Sequence, residues 1–380
     1  MSDSSIACAT RRLAAWGQGD VRRLFESVPG LLEAGDDEAR AKAATLLTDL
    51  LDLQIDDPSS VKHGQFPMQL GGSGGDLNCC LFLMPMLVRL LEKHAAALDA
   101  PLRVRLDAAT RLALLAAERR WDEEIFDLSR DHKAYTNVFL LYIQALLLGA
   151  RLYGDDRLQR AAEAQWRCRF NHISYFGVDE FVSQDYNNVN ERTLRRMHGV
   201  AANGQMRHEI ALVRHHLAAL QLAVTHPRLK VQVAGSARDY RRALAPGPRE
   251  PGCLAEPGNN DPCPLHELID AYHHRQFPYH VRGRATPLPY HFQSWQQPTA
   301  ALGSMTGGNY FWQQLHCVVA VGHSETQRDM LLVPGSYTIA NGLVRQDRGR
   351  ALCLFTRGPN TLLRTQRLTP DVAYMGSASG

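Results

Sequence analysis

The sequence predicts an α+β protein: a helical array over residues 1–244, then a smaller antiparallel β-sheet domain over residues 265–380. Three observations carry this. From about Ser5 to Tyr240, Ala/Leu/Arg/Glu-rich stretches with apolar residues three and four apart alternate with short Gly, Asp or Pro punctuation. Between Ala245 and Pro264, APGPREPGCLAEPGNNDPCP is too dense in proline and glycine for a helix or a central strand, and marks a linker. Beyond it come short β-type runs, HCVVAV, DMLLVPG, SYTIANG and ALCLFT, broken by Gly, Pro and Asn-Gly. A chain of 380 residues, 45% of them hydrophobic, can fill two cores.

Taken in order, the clearest helices are Glu38–Leu53, Leu77–His94, Leu102–Arg119, Tyr135–Tyr153, Arg157–Arg169 and Gln205–Val224. The run Phe139–Leu148, FLLYIQALLL, is apolar nearly all round and predicts a helix buried on more than one side. Asp155 is placed to cap the helix after it. The β-type runs are few, so the sheet is expected to be small.

The formal net charge of +3 arises from 42 basic and 39 acidic residues spread along the chain, so no basic stripe calls for a nucleic acid or an anionic membrane. The N-terminal MSDSSIACATRRLAAWGQGD lacks a signal-peptide core, and no uncharged stretch of about 18 apolar residues is evident; a cytoplasmic protein is expected. The eight cysteines show no C-x-x-C pair or zinc-like spacing and most of them read as buried thiols, with Cys253 and Cys263, both in the linker, the pair that could bridge outside a reducing compartment. No G-x-S-x-G, P-loop, G-x-G-x-x-G, H-E-x-x-H or EF-hand pattern occurs, and neither a cofactor nor a metal is expected. Nothing sets the oligomeric state.

Polar and aromatic residues gather where the helical texture breaks, which is where sites are usually mounted. HGQFPMQLGGSGGDLN carries His63, Gln65, Asp76 and Asn78, and Asp76 also reads as the N-cap of the following helix. DLSRDHKAYTN opens the buried helix with Asp131, His132, Tyr135 and Asn137; the plainer reading is a cap and a solvated histidine. NHISYFGVDEFVSQDYNNVNERTLRRM gathers His172, Tyr175, Glu180, Gln184, Asp185, Tyr186, Asn187, Asn188 and Asn190 into a non-periodic stretch between helices. Such a mixture suits a sugar, whose hydroxyls need donors and acceptors and whose ring faces pack on aromatics; the alternative is an ordinary loop. VAGSARDYRRAL offers Arg238 and Tyr240, a guanidinium suited to a carboxylate or simply a surface arginine. In the β-rich part, His291, Trp295, Gln296, Gln297, Tyr310, Trp312, Gln313, Gln314 and His316 either wall a saccharide subsite or seal a core.

The phrases YTNVFLLYIQALLLGARLYGD, GVDEFVSQDY, VAGSARDY and PTAALGSMTGGNYFWQQ resemble the α/α-toroid polysaccharide lyases and their heparinase-like relatives. Where that superfamily's turn commonly reads Ser-Pro-x-Tyr, this chain has Ser183, Gln184, Asp185 and Tyr186. The resemblance implies an N-terminal α/α toroid, an incomplete helical barrel, and β-elimination at a uronic acid. It makes Tyr186 the acid–base group with His132 as partner, and sets Asn137 and Arg238 on the carboxylate. Tyr240, Glu180 and Trp295 would hold sugar rings; Asp76, Asn78, Asn188 and Gln314 complete the expected substrate contacts. The implied partner is an acidic saccharide. Two other readings stand beside it: a glycoside hydrolase on the same scaffold, drawing two carboxylates from Glu124, Asp131, Glu180 and Asp185, and a non-catalytic saccharide-binding protein.

Overall fold

Acidic and amide residues start most of the helices. In the computed structural model of the chain, Asp20 accepts from the Arg22 amide at 3.0 Å, Asp36 from Ala39 at 2.6 Å and Asp99 from Leu102 at 2.7 Å. Asp155 accepts from Arg157 at 2.8 Å, as expected from its place in the sequence, and Asn203 from Gln205 at 2.9 Å. Each bond satisfies an amide that the first helical turn leaves without an intrahelical acceptor. The structure describes residues 3–71, 78–120, 136–176, 184–232, 251, 253–254, 265–285, 290–306, 315–324, 327–334, 343–348, 350–354 and 364–366.

Among the described residues the helices are α1 (Asp3–Ala14), α2 (Val21–Ala34), α3 (Asp37–Leu51), α4 (Cys79–Lys93), α5 (Ala100–Arg120), α6 (Thr136–Tyr153), α7 (Asp156–Phe176), α8 (Gln184–Val200), α9 (Gly204–Val224) and α10 (His266–His273). The strands are β1 (Tyr279–Ala285), β2 (Tyr290–Gln297), β3 (Ala300–Thr306), β4 (Leu315–Gly322), β5 (Arg328–Pro334), β6 (Leu343–Asp347), β7 (Arg350–Leu354) and β8 (Arg364–Gln366). The fold is therefore α+β. The chain divides into two compact units, Met1–Trp166 and Arg167–Gly380.

In the first unit α6 is buried along most of its length. Every residue from Thr136 to Ala150 is buried, against α4 and α5 among others. Gly149 allows that approach, since a Cβ there would lie 2.6 Å from a methyl of Leu114. By length and composition α6 could also cross a bilayer, an exception to the sequence expectation, but 83% of it is buried inside the protein. Those properties are also those of a core helix.

In the second unit β1-β2-β3-β4-β5-β8 form one antiparallel sheet, and the β6–β7 hairpin packs on β3 and β4. The unit is not all sheet. Helices α8 and α9 pack together and α10 packs on α9, so a helix precedes the strands in the region where the sequence texture suggested only β-type runs. The end of α9 is bonded to β2. Gln296 Nε2 donates to the Ala223 carbonyl at 3.1 Å, and Arg275 donates to the carbonyls of Thr225 (2.8 Å) and Leu222 (2.7 Å) and to Gln296 Oε1 (2.8 Å). The Pro/Gly-rich stretch marks a change of composition, yet Cys253 within it is buried in one core cluster with Ala218, Leu222, Leu265 and Tyr272.

Candidate functional site

The stretch that sequence periodicity leaves as a loop is largely helix: α7 runs to Phe176 and α8 starts at Gln184. The reason for the miss is chemical. The buried face of α8 consists of Asn187, Asn190, Glu191, Thr193, Leu194 and Met197. The spacing of these positions is helical, but the first four are polar, and apolar residues at helical spacing do not mark them.

A turn at 201–203 joins α8 to α9, and Arg207 fastens it by donating to the Ala201 carbonyl at 2.8 Å. The two helices therefore run antiparallel. Glu191 and Arg214 lie about equally far from this turn and meet in an ion pair of 2.7 Å, with side chains 3% and 0% exposed. Arg214 and Gln221, seven residues apart, share the inner face of α9, as Asn187, Asn190 and Glu191 share that of α8. Among the described residues neither amide atom of Asn190 or of Gln221 has a hydrogen-bond partner within the protein, and the same holds for Oε2 of Glu191. Both amide side chains are buried, at 0% and 3% exposure. Buried amides are nearly always bonded, to protein or to ordered water. The Cys253 thiol lies close enough to feel the pair: burial, with the negative charge of Glu191, pushes its pKa up to about 12.

Tyr186 sits in the first turn of α8, partly buried. Asn190 follows it by one helical turn, so the two share a stripe that continues through Thr193 and Met197. Asn188 lies at the other edge of the helix, partly buried, its carbonyl accepting from Arg192 at 3.3 Å.

The remaining expected residues fall elsewhere. Asn137 is buried at the start of α6, its Oδ1 accepting from the Val138 amide at 2.8 Å. Asn78, rather than Asp76, holds the N-cap position of α4, without a side-chain cap bond, while buried Gln65 accepts from the Cys80 amide at 3.3 Å. Trp295 packs against Leu302 and Cys317. Strand alternation turns it to the sheet face opposite Gln296, whose amide bonds α9, so it does not join the α8–α9 seam. Asp76, His132, Glu180, Arg238, Tyr240 and Gln314 lie outside the described residues, as do Glu124 and Asp131. Among the described residues no group of three or more His, Cys, Asp or Glu side chains is placed to hold a metal ion.

A second polar cluster in this unit is structural. His226 Nε2 donates to the Gln297 carbonyl at 2.8 Å, and Nδ1 accepts from the amides of Leu229 (3.0 Å) and Arg228 (3.2 Å), a pattern that fixes a neutral tautomer. Burial holds its pKa below the ordinary histidine value, and the positive charges of Arg275 and Arg228 act in the same direction.

Comparison with protein-family models, with curated proteins and with solved structures finds no match for the chain. The functional reading therefore stands on the α8–α9 seam and on the residues that lead into it.

Proposed function

We propose that the chain acts on saccharides, and that it cleaves a uronate-containing oligo- or polysaccharide by β-elimination with Tyr186 as the acid–base group. The observation that carries this is the setting of Tyr186: a partly buried phenol in the first turn of a helix whose inward face is built of amides and a carboxylate. Sugar recognition calls for that mixture. The likeness of GVDEFVSQDY and its neighbours to the toroid lyases supports the choice of reaction. Successive helices pack as neighbours within each unit, α2 on α3 and α4 on α5 in the first and α8 on α9 in the second, and this pairing supports the toroid-like arrangement of helices that we propose.

The chemistry asks three things of the site. A base must take the proton α to the uronate carboxylate, an acid must protonate the departing 4-linked oxygen, and the charge that builds on the carboxylate must be stabilised. The electron pair of the broken C–H bond becomes the new C=C bond as the C–O bond breaks. Tyr186 serves the proton transfers. The positive end of the α8 dipole favours the substrate carboxylate. The Glu191–Arg214 pair fixes α8 on α9, and with it the angle at which Tyr186 leaves the helix.

The test is incubation with a panel of uronate-containing oligosaccharides, following near-ultraviolet absorbance and reducing ends together. Elimination yields both in equal measure. Reducing ends without absorbance mean hydrolysis and overturn the lyase reading; neither signal overturns catalysis on this substrate class.

A further inference from the structure

We infer that the open face of β1 and β2 is a second, non-catalytic binding surface for an acidic sugar, on which Arg282 takes the carboxylate while Trp295, Gln293 and His280 take the ring and its hydroxyls. The choice of a sugar over another anion rests on the saccharide reading above.

The strand register brings the four side chains together. His280 lies opposite Trp295 and Arg282 opposite Gln293 in the antiparallel pairing, and residues so opposed share a face with their Cβ atoms about 5 Å apart. Arg282 also reaches along its own strand, its Nε donating to His280 Nε2 at 3.4 Å. Gln296, which bonds the end of α9, is the residue after Trp295, so the face that carries Trp295 is turned away from α9. His280 and Arg282 are exposed, and Gln293 and Trp295 partly buried. Trp295 rests on Leu302 and Cys317, which steadies the indole. From His280 to Arg282 is two residues of strand, about 7 Å, the scale of one sugar ring with its substituents.

The charge selects the ligand. Over the whole chain 42 basic residues are balanced by 39 acidic ones, yet β1, β2 and β3 contain no Asp or Glu. Among the described residues no carboxylate pairs with Arg282. A guanidinium so placed offers a planar fork of donors to a carboxylate. The indole beside it offers an apolar surface to a sugar ring, and Gln293 offers donors and an acceptor to hydroxyls. A neutral sugar leaves Arg282 unused, and a small inorganic anion leaves Trp295 unused. A uronic acid engages both.

The experiment titrates the full chain with methyl glucuronoside, which has no 4-linked sugar to expel and so stays intact, with uncharged methyl glucoside, and with thymidine monophosphate. Tryptophan emission is the readout. The glucuronoside is expected to change the emission saturably, and Trp295→Phe to remove that change. The glucoside is expected to bind at least tenfold more weakly. Arg282→Gln, at an exposed position, should weaken the glucuronoside at least tenfold and leave the rate of double-bond formation from saturating uronate oligosaccharide as it was. No emission change with the glucuronoside overturns the surface, as does equal affinity for it in Arg282→Gln. Since β1 is an edge strand of its sheet, self-association of Arg282→Gln with sugar affinity retained would make the arginine a guard of that edge instead. A response to the nucleotide alone overturns the choice of a sugar. Glucuronoside binding through Arg282 without double-bond formation from the longer oligosaccharide leaves the surface standing and overturns the lyase reading alone.

Discussion

Helices α6 and α8 are both buried along one side or more, and they are buried in opposite chemistry. In α6 the inward residues are Phe139, Leu140, Ile143, Leu146 and Leu147, with Gln144 the polar exception in the middle of the run; in α8 they are Asn187, Asn190, Glu191 and Thr193 before Leu194 and Met197. Apolar burial stabilises a helix wherever it occurs and says little about activity. Polar burial is costly unless every group is paired, and a helix that keeps it is held to a second requirement. The contrast separates a helix that organises a core from a helix that organises a site.

The largest effect expected is at the ion pair. Arg214→Met strands the Glu191 carboxylate in the interior and should cost about 3–5 kcal/mol, read from a urea unfolding midpoint. Adding Glu191→Leu should recover most of that loss. If the double variant is no better than the single one, the charge is not what made Arg214 important.

In α6 the counterpart is Leu146→Ala, which removes a fully buried side chain and should cost about 3 kcal/mol through the cavity left behind. Activity of the folded fraction should be unchanged. A loss of activity in the folded fraction equal to that of Tyr186→Phe would erase the distinction between the helices.

These two helices also show what was readable in advance. Apolar periodicity foretells α3, α4, α5, α6 and α9 to within a few residues, because each hides an apolar stripe, and it finds the start of α7 but stops at Arg169, seven residues short of its end at Phe176. It passes over α8, whose stripe is polar, and α10, which is short and follows a Pro/Gly-rich stretch. It passes over β1, β2 and β3 as strands, since Tyr279–Ala285, Tyr290–Gln297 and Ala300–Thr306 carry arginine, glutamine, serine and glycine where a simple strand pattern asks for apolar alternation. Of the site, Tyr186 is picked out by its motif. Glu191, Arg214 and Gln221 are not, because their meaning depends on which faces of α8 and α9 meet. The available signal was the helical spacing of amide and charged residues from Asn187 onward.

Smaller effects sharpen the picture. His226 is a structural group in a polar cluster, and its pKa is lowered on folding. A histidine of this kind contributes stability that is full above its unfolded pKa of about 6.5 and is lost as the pH falls toward the folded value. The thermal midpoint should therefore drop on acidification from pH 7 to pH 5. His226→Gln should flatten the slope without abolishing it, since burial lowers His216 as well. An unchanged slope would show that His226 is not buried as a neutral ring in solution.

The smallest expected change is a gain. Gln144 is fully buried in α6 and neither of its amide atoms has a partner among the described residues, so Gln144→Leu should stabilise the protein by about 1 kcal/mol. The rate of double-bond formation should stay as it was, since Gln144 lies within the helix that organises the core of the first unit.

The central claim is that α8 presents Tyr186 to a saccharide. Its most direct test is the initial rate of double-bond formation, followed in the near ultraviolet with a uronate oligosaccharide, for the unsubstituted chain and for Tyr186→Phe. The account expects a measurable rate in the first and a loss of about a hundredfold or more in the second, the scale of a lost acid–base group, with the melting temperature unchanged. Equal rates in the two proteins would contradict it.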